Sequence, residues 1–200
     1  FSGLSGVIYS WMHLKIVLDE PLNISEVEPI LEHLHAEICQ DKNCDIMDGA
    51  AGCLLVLLGL YNLTGYEHAK ALAVLCGEQL LRNATLSPYG YAWYTDLGNA
   101  FPLTGFGHGT AGISYALFRL AGVTNDTRFQ EAARRGLEYE RKWYSPEHRN
   151  WPDLRQQRQN SKGTQRFISA WCNGATGIGL GRLLCLEHVD DAIIREEISV

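Results

Sequence analysis

No apolar run in this 200-residue sequence approaches the roughly 20 residues that a bilayer-spanning helix needs; the stretch 54–60 is far too short. Positive charge is also in deficit. The 17 Lys and Arg against 23 Asp and Glu give a formal charge of -6. These charges are dispersed along the chain, which argues against a nucleic-acid or anionic-membrane surface. The six cysteines (Cys39, Cys44, Cys53, Cys76, Cys172 and Cys185) make no CxxC pair and no compact framework, and several lie in apolar helical runs. That usage suits reduced thiols in a cytoplasmic protein. Asn23, Asn62, Asn83 and Asn125 begin glycosylation sequons, but nothing else points to export. A signal-peptide pattern is lacking, and no stretch alternates as a strand would. The chain opens on Phe1 rather than Met and runs out in a helical pattern over 190–200, so a piece cut at both ends is expected.

What is present is a recurrence. Gly, any residue, a small residue, Gly and an apolar residue occur in that order four times, at Gly3, Gly49, Gly109 and Gly174. Each copy opens an apolar helical run, the signature of a stack of similar helical units. Segments 3–19, 49–63, 109–120 and 174–186 read as inner helices, apolar on nearly all sides. Segments near 27–38, 67–81, 127–144 and 190–200 carry a charged face and read as outer partners. Ser25 with Glu28, and Thr127 with Gln130, have capping-box spacing. The expected fold is all-α, an α/α toroid of inner and outer helical hairpins. Loops 87–103 and 145–163 lack helical period, and long loops on a helical scaffold often carry function.

Three copies lie beside a residue able to do chemistry: Asp45, His108 and Cys172. A helix N-terminus disfavours imidazolium, so a neutral His108 able to exchange a proton is plausible; a turn histidine bonded to backbone is the plainer alternative. Cys172 lies just before a helix start, where thiolate is favoured, although burial as a structural thiol is the commoner fate of cysteine. Asp45 and Asp48 suit helix capping as well as chemistry. Residues 107–112 match G-x-G-x-x-G, but a dinucleotide site needs a preceding strand, and loop precedes here. Cys185 and His188 make a C-x-x-H on the part of the helix running away from the glycine mouth, which favours a structural role. His33 and His35, flanking a buried stripe, read the same way.

Equivalent positions of a repeat converge at one end of a toroid, so Asp45, His108 and Cys172 are expected to meet. Taken together, the stretches 45–52 (DIMDGAAG), 105–113 (GFGHGTAGI) and 171–179 (WCNGATGIG) resemble the LanC-like cyclase domain, and within it the class II lanthipeptide synthetases (LanM). The resemblance runs over 1–200 and implies a partial domain of about four of the family's seven hairpins. It implies a Zn²⁺ held by Cys172 and by a Cys-His pair expected beyond residue 200. It implies that His108 and Asp45 manage protons while a peptide cysteine adds to dehydroalanine or dehydrobutyrine, closing a lanthionine or methyllanthionine ring. The implied partner is a dehydrated, leader-bearing precursor peptide, with a dehydratase domain in the full-length chain.

Three departures stand out. Asn173 follows the cysteine where class II members usually carry His. Arg166 is the arginine nearest to the one the family places before the cysteine. No C-H-G motif occurs, so the 200 residues alone are expected to bind zinc poorly and to expose apolar surface at an open end. Two other readings remain: a LanC-like peptide- or glutathione-binding module, and an unrelated α/α-toroid glycoside hydrolase using carboxylates such as Asp45, Asp48 and Asp96.

Overall fold

The computed structural model describes residues 2–95, 101–156, 165–189 and 192–199. Eight helices carry these residues: α1 (Gly3–Val17), α2 (Glu28–Gln40), α3 (Ala50–Thr64), α4 (Glu67–Asn83), α5 (Thr110–Thr124), α6 (Thr127–Arg141), α7 (Gly174–Cys185) and α8 (Ala192–Ile198). Helices α1, α3, α5 and α7 pack in that order as an inner row; α4 backs α3, α6 backs α5 and α8 backs α7. The all-α architecture of inner and outer helices is therefore present.

Sequence composition assigns the rows. Leu54, Leu57, Leu58 and Leu60 of α3 are fully buried on successive sides of the helix, as an inner position requires. Each such leucine contributes about 1.5–3 kcal/mol relative to an exposed one. Helix α6 buries Phe129, Ala132, Ala133, Gly136 and Leu137 on one face and, Glu140 excepted, leaves its charges off that face. Hairpins α3–α4 and α5–α6 turn the same way. Thr64 Oγ1 donates to the Leu60 carbonyl (2.7 Å) and accepts the Tyr66 N–H (3.2 Å); Thr124 Oγ1 does the same with Leu120 (2.9 Å) and Asp126 (3.2 Å). The next residue is left-handed in both, Gly65 at φ 70° and Asn125 at φ 58°. Gly and Asn are the residues that tolerate this conformation.

Local details differ from the sequence reading in three places. Ser25 and Glu28 form no capping box. The Asn23 side chain instead accepts the Ser25 N–H, a 3₁₀ turn (Ile24–Glu26) intervenes, and α2 starts later with Pro29 in its first turn. Asp126 rather than Thr127 caps α6, accepting the Arg128 N–H at 2.9 Å. A carboxylate one residue upstream outcompetes the hydroxyl for that position. A short antiparallel hairpin, β1 (Thr85–Ser87) with β2 (Gly90–Ala92), lies where no strand is expected, and it packs on α6. Three residues per strand are too few to show an alternating pattern.

Apolar surface is exposed at the ends of the inner row. On α1 and its C-terminal end, Val7, Leu14, Ile16, Val17 and Leu18 are open; on α7, Leu180 and Leu183 are. Single exposed apolar residues are ordinary, but a run on one helix is not.

Candidate functional site

Three loops that precede inner helices meet at one end of the row. The Asp45 loop is joined to the His108 loop by Ile46 N–H donating to the Gly107 carbonyl (3.1 Å). That loop is hooked in turn to the Cys172 loop, because Phe106 and Gly107 N–H both donate to the Cys172 carbonyl at 3.0 Å. Glycine is required at 107: a Cβ there would lie 2.8 Å from Cys172 Cβ. Gly174, at φ 69°, lets the Cys172 turn enter α7 in a left-handed conformation that other residues rarely adopt.

The inner helices lack a cap of their own at Gly49 and Gly109, and side-chain oxygens from elsewhere serve them. Asp41 Oδ2 accepts the N–H groups of Cys44 (3.0 Å) and Ala50 (2.9 Å) at α3. Glu140 Oε1 accepts those of Gly105 (2.8 Å) and Ala111 (3.2 Å) at α5. Asn150 Oδ1 accepts that of Ala175 (2.6 Å) at α7, where Asn173 also accepts the Gly174 N–H (2.8 Å). These caps leave the mouths ordered and the glycine backbone close-packed.

Within this frame Asp45 and His108 are partners. Asp45 Oδ2 lies 2.7 Å from His108 Nδ1, and the carboxylate is buried while the imidazole is 28% exposed. The other oxygen, Oδ1, accepts the Asp48 N–H at 2.8 Å, fixing the carboxylate plane. A carboxylate on Nδ1 assigns the proton to that nitrogen and leaves Nε2 as the atom for proton exchange. His108 lines a recess with Cys172, Asn173, Thr104, Asp153 and Arg155. All three residues expected from the sequence are therefore brought to one place. Asp48 is not a partner in it; its carboxylate accepts the Ser2 hydroxyl at 2.6 Å. Asp96 lies outside the described residues.

Cys172 is half-buried at the tip of a tight turn whose flanks, Ala170 and Asn173, exchange two backbone hydrogen bonds of 3.0 Å. The other thiols differ in setting. Burial pushes the Cys44 and Cys185 thiols up to about 12, so both stay neutral. Cys185 is fully buried, and His188 lines a separate crevice with Phe118, Asn125 and Gln130, consistent with a structural pair. His33 and His35 are exposed, and His33 Nδ1 contacts the Pro29 carbonyl.

Arginine enters the recess from loop 145–163, one of the two aperiodic loops, through a residue the sequence did not single out. Arg155 Nε and Nη2 donate to Asp153 Oδ1 (2.8 Å) and Oδ2 (2.9 Å). Burial pushes the Asp153 carboxyl up, but the hydrogen bonds and charge of Arg155 outweigh it and hold it below its ordinary value. Arg166 is exposed and contributes its carbonyl, which accepts the Asp153 N–H at 2.7 Å. Asp153 and Arg155 sit at a short 3₁₀ turn (Leu154–Gln156) in the aperiodic loop 145–163, and beyond that loop's length the D-x-R spacing was the one signal at these positions.

Among the described residues, no three His, Cys, Asp or Glu side chains come together as a metal site. Cys172 offers one soft ligand on the recess, and zinc in catalytic sites takes three from the protein. The described residues by themselves do not make a complete zinc site. No helix among them is long and apolar enough to cross a membrane.

Comparison with known proteins gives one match and one silence. No curated protein matches the chain. The profile of the family described as lanthionine synthetase C-like protein matches residues 1–200, the whole of the sequence, and the chain belongs to that family.

Proposed function

We propose that residues 1–200 are part of a lanthionine cyclase domain of the class II (LanM) type, acting in the cytoplasm on a dehydrated, leader-bearing precursor peptide. The observation that carries this reading is the 2.7 Å Asp45–His108 contact on the same recess as Cys172. In the reaction, a peptide thiol gives up its proton and its sulfur bonds to the β-carbon of dehydroalanine or dehydrobutyrine. The resulting enolate takes a proton at its α-carbon, so the net change is addition with no leaving group. His108 Nε2 is suited to move that proton, with Asp45 orienting the ring and balancing imidazolium charge. Arg155, held by Asp153, puts a guanidinium on the lining of the same recess, where it could help to balance enolate charge.

Zinc belongs to this proposal as a group bound by Cys172 together with ligands from outside the described residues. Once bound, it would hold the substrate sulfur as thiolate near neutral pH. A dehydratase, in the same full-length chain or separate, must supply the dehydroamino acids.

A glycoside hydrolase needs one carboxylate to act as acid and another as base or nucleophile. At the recess Asp45 is bonded to His108 and Asp153 to Arg155, an arrangement that supports proton shuttling better than a carboxylate pair. The test uses the full-length protein and a peptide carrying one dehydroalanine and one cysteine. Ring closure leaves peptide mass unchanged, so conversion is read as loss of alkylation by a thiol reagent. The expected result is time-dependent loss of alkylation. Binding of the peptide with its thiol still alkylatable would favour a peptide-binding module instead.

A further inference from the structure

The Asp45–His108 pair explains how the imidazole is oriented, but not what holds its loop against the Cys172 turn. Backbone bonds hook the loop to that turn, and a second grip on it comes from a group the proposed chemistry does not use. Glu140 and Arg182 are both fully buried, far from solvent and from each other in sequence. Glu140 comes from the outer helix α6 and Arg182 from the inner helix α7, whose first turn follows Cys172.

Each oxygen of the Glu140 carboxylate has its own work. Oε1 accepts the N–H groups of Gly105 and Ala111, which bracket His108 on either side. Oε2 lies 3.0 Å from Arg182 Nη1. That nitrogen is not aimed along a hydrogen bond, so the contact is one of charge with charge rather than a directed bond. Arg182 Nε in turn donates to Glu197 Oε2 at 2.7 Å, anchoring the guanidinium from α8.

Close packing makes the loop sensitive to this carboxylate. A Cβ on Gly105 would lie 2.8 Å from the Cys172 carbonyl, and the next two residues donate to that same carbonyl. The loop is thus gripped on one side by Glu140 and on the other by the Cys172 turn. Asp41 and Asn150 cap the neighbouring mouths, but neither is fully buried, and among the described residues no arginine forms a salt bridge with Asp41.

We infer that Glu140 is a positioning residue: its carboxylate, fixed by Arg182 of the helix that follows Cys172, sets the loop bearing His108 at its working distance from Cys172. The inference rests on the reading of His108 and Cys172 given above. Glu140 touches no substrate in this account and acts through the backbone of residues 105–111.

The test compares the full-length wild-type protein with Glu140→Ala and Glu140→Gln, reading residue-resolved amide exchange and peptide cyclisation. In Glu140→Ala, the amides of Gly105, Phe106, Gly107 and Ala111 are expected to exchange together at least about tenfold faster, with those of α3 unchanged. The kcat for thioether formation is expected to fall about 100-fold, with KM for the peptide held within about twofold. Glu140→Gln keeps an oxygen acceptor for the loop but sets an uncharged amide against buried Arg182, so it should recover only part of both losses. If the Ala variant does not fold, Glu140→Asp carries the test, because it keeps the charge for Arg182 but retracts the oxygen. Faster exchange confined to Gly105 and Ala111, or an undiminished kcat, would overturn the inference. If the wild-type protein forms no thioether at all, the functional reading fails, and the exchange at Phe106 and Gly107 still decides the positioning claim.

Discussion

Replacing His108 with Ala is expected to slow thioether formation by about 10²–10⁴-fold, the range for loss of a positioned general acid–base group. Peptide affinity should change little, because the imidazole meets the reacting atoms rather than the leader. The structural side effects are small: His108 is partly exposed, and its loop is held by backbone bonds from Gly107, Phe106 and Gly105 that do not involve the ring. The measurement is a progress curve of alkylation-resistant product at saturating peptide, beside a circular dichroism melt. Loss of kcat with an unchanged melt supports a proton-transfer role. Loss of folding would instead mean that the ring's chief service is to satisfy buried Asp45.

The second large effect is expected at Cys172. Cys172→Ser should abolish zinc retention by the full-length protein and reduce kcat by about 10³-fold or more, as expected when a metal worth several kcal/mol of charge stabilisation is lost. Serine preserves the shape of the turn, whose geometry depends on Ala170, Asn173 and the Cys172 carbonyl rather than on the sulfur. The two readouts are independent. Zinc content by elemental analysis tests the ligand role without reference to activity. Undiminished zinc in the serine variant would remove Cys172 from the metal site, even if activity fell.

These expectations trace back to features of unequal legibility. The glycine recurrence at 49, 109 and 174 was readable because each copy opens an apolar helix, and a repeat brings equivalent positions to one end. That logic alone placed Asp45, His108 and Cys172 together. The Thr64 and Thr124 turns carry the same regularity, two hairpins built on one local pattern. Caps were harder. Asn23 and Asp126 outcompete Ser25 and Thr127 by one or two positions, a choice decided by backbone geometry that periodicity does not encode.

Other functional neighbours were invisible for a different reason. Glu140 looks like one more charge on an amphipathic outer helix, and only tertiary packing turns it inward to full burial. Arg182 sits in an inner helix as a lone cation and reads as an anomaly until Glu140 and Glu197 are seen beside it. Arg155 lies in a loop without period, and it lines the recess, whereas Arg166, nearer to Cys172 in sequence, does not. Distance along the chain was a poor guide to the recess because its lining comes from two separate segments, 103–108 before α5 and 153–173 before α7.

In the proposed mechanism Asp45 and His108 work as one unit. The most direct measurement is a double-mutant cycle on the kcat of thioether formation, using Asp45→Asn, His108→Ala and the two combined. Asp45 acts through the imidazole in this account, so Asp45→Asn should slow the wild-type enzyme markedly yet add less than about twofold once His108 is gone. Multiplicative losses in the double variant would contradict it, making Asp45 and His108 independent contributors and leaving their 2.7 Å contact without a catalytic role.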